Sequence, residues 1–176
     1  ITIDVHSIVS ADGSKLYEPS KLTSSAKYVG GIVGKNSGLL ENVSALGLSI
    51  ECDSYGVIGG IAGYNAGQIV GGGVEFYLFG EGVYNTISAQ NATIGGLVGF
   101  ADYNSTISKS YVYAYPCEDT SVSAEKIFDK TPNLSLNVAV FVANLGQESK
   151  ISESFGFLGE VSATAKATNN SQRLNI

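Results

Sequence analysis

The sequence predicts an all-β fold: a right-handed parallel β-helix, or β-solenoid, of about four rungs with loop insertions. Three observations carry this expectation. A segment read first as "YVGGIVGKNSGLLENV" at 28–43 returns as "VIGGIAGYNAGQIVGG" at 57–72 and as "TIGGLVGFADYNSTISKS" at 93–110, and a degenerate copy, "NVAVFVANLGQESKISES", occupies 137–154. The chain holds 22 glycines but only 3 prolines, which suits continuous backbone pairing interrupted by tight corners. Apolar residues alternate with period two, as in "SYVYAY" 110–115 and "SFGFLG" 154–159, while helical periodicity is weak.

Taken in order, "ITIDVHSIV" opens the chain with Ile1, Ile3 and Val5 alternating, the pattern of a strand in an earlier or capping rung over 1–27. Each copy over 28–162 then offers a short apolar strand, a turn and a second strand. Asn36-Ser37-Gly38 and Asn65-Ala66-Gly67 supply turn residues that tolerate positive φ. The third and fourth copies carry two extra residues before the aliphatic position shared by Leu40, Ile69, Ile107 and Ile151. This alignment puts Lys109 and Glu153 at equivalent places on neighbouring rungs. One such unit cannot bury its apolar face alone, so the copies must stack like on like. The periods of 29, 36 and 44 residues suit rungs of two or three strands with loops of varying length. At a spacing of about 4.8 Å, four rungs make a stack of roughly 20 Å, with right-handed crossover the default for parallel strands. Gly30-Gly31, Gly59-Gly60 and Gly95-Gly96 mark corners where backbones pass closely. "SAEKIFDK" 123–130 reads as one or two helical turns capped by Ser123, and 163–176 as a polar, frayed tail. Residues 1–176 form a single domain.

Gly34-Lys35 superficially suggests a phosphate-binding loop. A G-x-x-x-x-G-K-[ST] loop would need glycine at Val29 and a hydroxyl at Asn36, and the sister copies replace Lys35 by Tyr64 and Phe100. That reading fails. The net charge is −6, with nine scattered lysines and the single Arg173, which excludes a nucleic-acid partner. The longest apolar run, "VAVFVA" at 138–143, is too short to insert in a bilayer. The chain starts at Ile1 and contains no Met, so it reads as a piece of a longer precursor.

The strings "GGIVGKNSG", "GGIAGYNAG" and "GGLVGF" resemble the GLUG repeat. Its second half is matched in part by "LENVSALGLSI" 40–50, through Asn42 and Gly47, and by "ISKSYVYAY" 107–115, through Tyr111. The resemblance covers roughly 28–160. It implies a secreted or surface-anchored bacterial protein, adhesin-like or accessory to an immunoglobulin-A-type metallopeptidase. The function it implies is that of a non-enzymatic module, a stalk or adhesive surface, located extracellularly or at the cell surface. The resemblance specifies no ligand; the expected partners are the rest of a longer chain and a host protein or glycan. The alternative is a module that positions substrate for a large secreted peptidase or glycan-active enzyme.

The residues themselves supply little chemistry. His6 is the only histidine and H-E-x-x-H is absent, so no zinc site is expected. Asp102, Asn104, Glu118 and Asp119 lack the density of oxygens that calcium needs. Neither a catalytic residue nor a cofactor is expected. Cys52 and Cys117 follow their own copies by similar distances, two rungs or roughly 10 Å apart. A disulfide needs Cα atoms within about 7 Å, so the two are expected to be buried and not bridged to each other. Recognition, if it occurs, belongs to the insertions at 75–91 and 117–133. The candidate residues there are Phe76, Tyr77, Phe79, Tyr84, Glu118, Asp119 and Phe128. Either these form an exposed aromatic and acidic patch, or the aromatics fold back to cover one sheet.

Overall fold

In a computed structural model the protein is described over residues 2–4, 20–52, 56–77, 86–90, 92–115, 121–128, 137–158 and 160–167. The chain winds through successive turns of five short strands. A partial turn holds β1 (Thr2–Asp4) and β2 (Ser20–Ser24). The first full rung comprises β3 (Tyr28–Gly30), β4 (Val33–Asn36), β5 (Leu39–Glu41), β6 (Ser44–Leu46) and β7 (Leu48–Cys52). The second comprises β8 (Val57–Gly59), β9 (Ala62–Asn65), β10 (Gln68–Val70), β11 (Gly73–Tyr77) and β12 (Thr86–Gln90). In the third are β13 (Thr93–Gly95), β14 (Val98–Ala101), β15 (Thr106–Ser108), β16 (Tyr111–Tyr115) and β17 (Ser121–Phe128). The fourth consists of β18 (Asn137–Ala139), β19 (Val142–Leu145), β20 (Lys150–Ser152), β21 (Phe155–Phe157) and β22 (Glu160–Ala167). Corresponding strands pair in five sheets, ordered β1-β6-β11-β16-β21, β2-β7-β12-β17-β22, β3-β8-β13-β18, β4-β9-β14-β19 and β5-β10-β15-β20. The strands pair parallel throughout the described residues. This is the β-helix of about four rungs that the repeat implies, with five strands per turn rather than two or three.

The register follows the copies. Leu40, Ile69, Ile107 and Ile151 fall in one column, as do Val29, Ile58, Ile94 and Val138. Ile58, Ile61, Ile69, Ile94, Leu97, Val98 and Val112 are essentially inaccessible and form the core inside the coil. Fully burying each large aliphatic side chain contributes roughly 1.5–3 kcal/mol, which an unstacked rung would forgo. Lys109 and Glu153 are equivalent, as aligned: the residues before them, Ser108 and Ser152, are partners, and both take positive φ, 51° and 48°. Asn42 and Gly71 occupy the same corner in the first two rungs with φ of 51° and 69°.

Paired glycines do sit where backbones touch. A Cβ on Gly59 would lie 2.7 Å from Leu97 O and 2.8 Å from Val98 Cα, both on the next rung. The fourth copy replaces the pair with Ala139-Val140, and β18 and β19 are edge strands with no described rung beyond them. The clash with a following rung therefore ends where the glycines do, while the nearest atom to a Cβ on Gly59, Ala62 O, belongs to its own rung.

Several local readings are corrected. Residues 121–128 are strand β17, not helical turns. It pairs in register with β12 on one side and with β22 along all eight of its residues on the other. An isolated helical segment this short is marginal, whereas two flanking strands satisfy the backbone on both edges. The polar tail begins later than expected, since β22 runs to Ala167. Among the described residues positive φ falls at the 42/71/109/153 corner and at Gly47, Asn104 and Glu148, not at 36–38 or 65–67. There the asparagine side chains close the turn instead, with Gly38 N donating to Asn36 Oδ1 at 3.1 Å and Gly67 N to Asn65 Oδ1 at 3.3 Å. The two extra residues of the third and fourth copies build longer turns around Asn104 and Glu148, with φ of 59° and 61°. Cys52 is buried in β7, and Cys117 lies outside the described residues. Among the described residues no helix is long and apolar enough to cross a membrane.

Candidate functional site

The predicted interaction residues divide sharply. Phe76 belongs to the core, 1% exposed, which removes it from any binding patch. Its burial comes from the pleat of β11: Val74 and Phe76 turn inward, beside Val112 and Ala114 of the next rung, while Glu75 between them is only half-buried. Tyr77 ends β11 and Phe128 ends β17. Phe79, Tyr84, Glu118 and Asp119, like His6, lie outside the described residues.

What the described surface does present is rows of aromatic rings along the stack. On the outer face of β3, β9 and β14, Tyr28 and Tyr64 have centroids 5.0 Å apart, and Tyr64 stacks on Phe100 at 5.6 Å. Lys27 and Lys35 place their Nζ atoms 5.1 and 5.0 Å from the Tyr28 and Tyr64 ring centroids. Each such contact contributes about 0.5–1 kcal/mol at an exposed site. The Tyr64 hydroxyl donates to Asp102 Oδ2 on the following rung. That bond, with burial and the Asp102 charge, pushes the Tyr64 phenol up to about 12. Reciprocally, the Tyr64 hydroxyl and the Tyr103 backbone N–H hold the Asp102 carboxyl below its usual range.

On the next face but one, Tyr111 stacks on Phe155 at 5.8 Å and Tyr113 on Phe157 at 6.1 Å. Tyr111 lies over Gly73, where a Cβ would come within 2.6 Å of its ring, and reaches Glu75 Oε1 at 2.7 Å. Burial first, then this bond, raises the Tyr111 phenol to about 12. Tyr113, Phe155 and Phe157 are exposed, as is Tyr103, whose hydroxyl donates to Glu148 Oε2 at 2.9 Å. The sequence carries a signal for these residues: outward positions of "YVYAY" and "SFGF" are aromatic at matching places in two successive copies. Assigning recognition to the insertions alone misses it.

The interior also carries a polar row. Asn36 and Asn65 are buried, and Asn36 Nδ2 donates to Asn65 Oδ1 at 2.7 Å and to Gln68 O at 3.2 Å. Ala101 and Leu145 end the row in the next two rungs. Ser105 Oγ is buried without a partner, whereas Ser149, at the same place one rung on, donates to Gly146 O. Rotation of the Ser105 hydroxyl toward Asp102 O would copy that bond. Among the described residues no cluster of three or more His, Cys, Asp or Glu could hold a metal ion. Comparison with protein-family models, curated proteins and solved structures gives no match to the chain.

Proposed function

We propose that this chain is a non-enzymatic β-solenoid module of a bacterial secreted or surface-anchored protein of the GLUG-repeat kind, serving as a stalk or an adhesive surface. The motif residues of "GGIVGKNSG", "GGIAGYNAG" and "GGLVGF" support the family reading. The observation that carries the functional reading is the unbroken in-register stacking of rungs with outward aromatic rows. Such a rod gives rigid reach, and its side chains repeat at rung spacing along one face. Host protein or glycan is the partner class this surface would meet.

Antibody raised against the chain should label intact cells of the parent organism. Labelling confined to permeabilised cells would reject the surface assignment. Product release when the purified chain is incubated with polysaccharides or peptides would reject the non-enzymatic one. If the module is adhesive, Tyr113→Ala with Phe157→Ala should weaken its binding to host cells at least several-fold with little change in Tm. Unchanged binding would leave the stalk role alone.

A further inference from the structure

We draw no further inference here: the strongest candidate, the apolar end of the stack at the fourth rung, where Leu145, Ile151, Phe155 and Phe157 are exposed on edge strands β19, β20 and β21, is an unpartnered face and nothing in the structure shows what covers it.

Discussion

Among the side-chain contacts that join one rung to the next, Asn36 to Asn65 and Tyr64 to Asp102 can be tested singly. Asn65 is inaccessible; its carbonyl oxygen accepts from both Asn36 Nδ2 and Gly67 N. Asn65→Ala takes the acceptor from the buried Asn36 Nδ2 and from the half-buried Gly67 N–H, and a donor left unmade away from water costs up to about 1–3 kcal/mol. Asn36→Ala strips its acceptor from the N–H of Gly38, which is exposed and can turn to water, while Asn65 keeps Gly67. Urea unfolding should therefore show the larger loss for Asn65→Ala; the reverse order would contradict this ladder. The second contact is Tyr64 to Asp102. A phenol raised from 10.0 to about 12 on folding holds its proton more tightly in the native state. Its contribution to stability is complete below about pH 10 and is lost as pH rises through about 12. Tyr111 has the same sign. Tyrosinate absorbance should show a late-ionising component that shrinks in Tyr64→Phe and in Tyr111→Phe. In Asp102→Ala, which removes both the acceptor and the charge, the Tyr64 step should move back toward 10; an unmoved step would mean that the Asp102 contact does not set it. The sequence placed Asn36 and Asn65 at turns but not their side-chain row, because that row depends on register, which appears only once the copies stack.

At the scale of strands and corners, what was legible is what recurs. The apolar columns, the two-residue insertions and the Lys109–Glu153 equivalence all come from aligning one copy on another, because parallel in-register pairing turns sequence equivalence into spatial adjacency. Outside the repeat only local propensity was legible, and there tertiary pairing overrode it. Residues 123–130 read as helical turns in isolation, yet 123–128 belong to β17, and β12 and β22 offer it a strand on either side. Phe76 looks like an insertion residue, yet it continues the inward alternation of β11. The corner glycines separate steric need from mere preference. A Cβ on Gly96 would collide with the Val140 carbonyl oxygen of the next rung and lie 3.2 Å from Val112 Cγ1, whereas a Cβ on Gly38 meets nothing within 4 Å. Gly96→Ala should cost about the 1–3 kcal/mol typical of overpacking, because the backbone bend at Val140, between β18 and β19, would have to shift to make room. Gly38→Ala should be neutral or stabilise by about 0.4–1 kcal/mol through the unfolded chain. Thermal unfolding of the pair checks this, and similar Tm values for the two variants would overturn the close-approach account of the corners.

Over the whole molecule, stability should vary along the stack axis, since each rung touches only its neighbours. The column Leu40, Ile69, Ile107 and Ile151 samples that axis with one kind of side chain at one place in the turn. Ile69 and Ile107 lie between flanking rungs and are 0% and 1% exposed, whereas Ile151, on the last described rung, is 39% exposed. Truncating a buried isoleucine to alanine loses its transfer energy and leaves a cavity, about 2–5 kcal/mol together. Ile69→Ala and Ile107→Ala should both fall in that range, because rungs close over them on either side. Ile151→Ala removes a side chain already in contact with water, opens no closed cavity and should cost well under half as much. Urea unfolding of the three variants at equal protein concentration gives the comparison. If Ile151→Ala proves as costly as Ile107→Ala, the end of the fourth rung is covered in solution. If its cost also grows with protein concentration, the cover comes from another molecule, since only association makes stability depend on concentration.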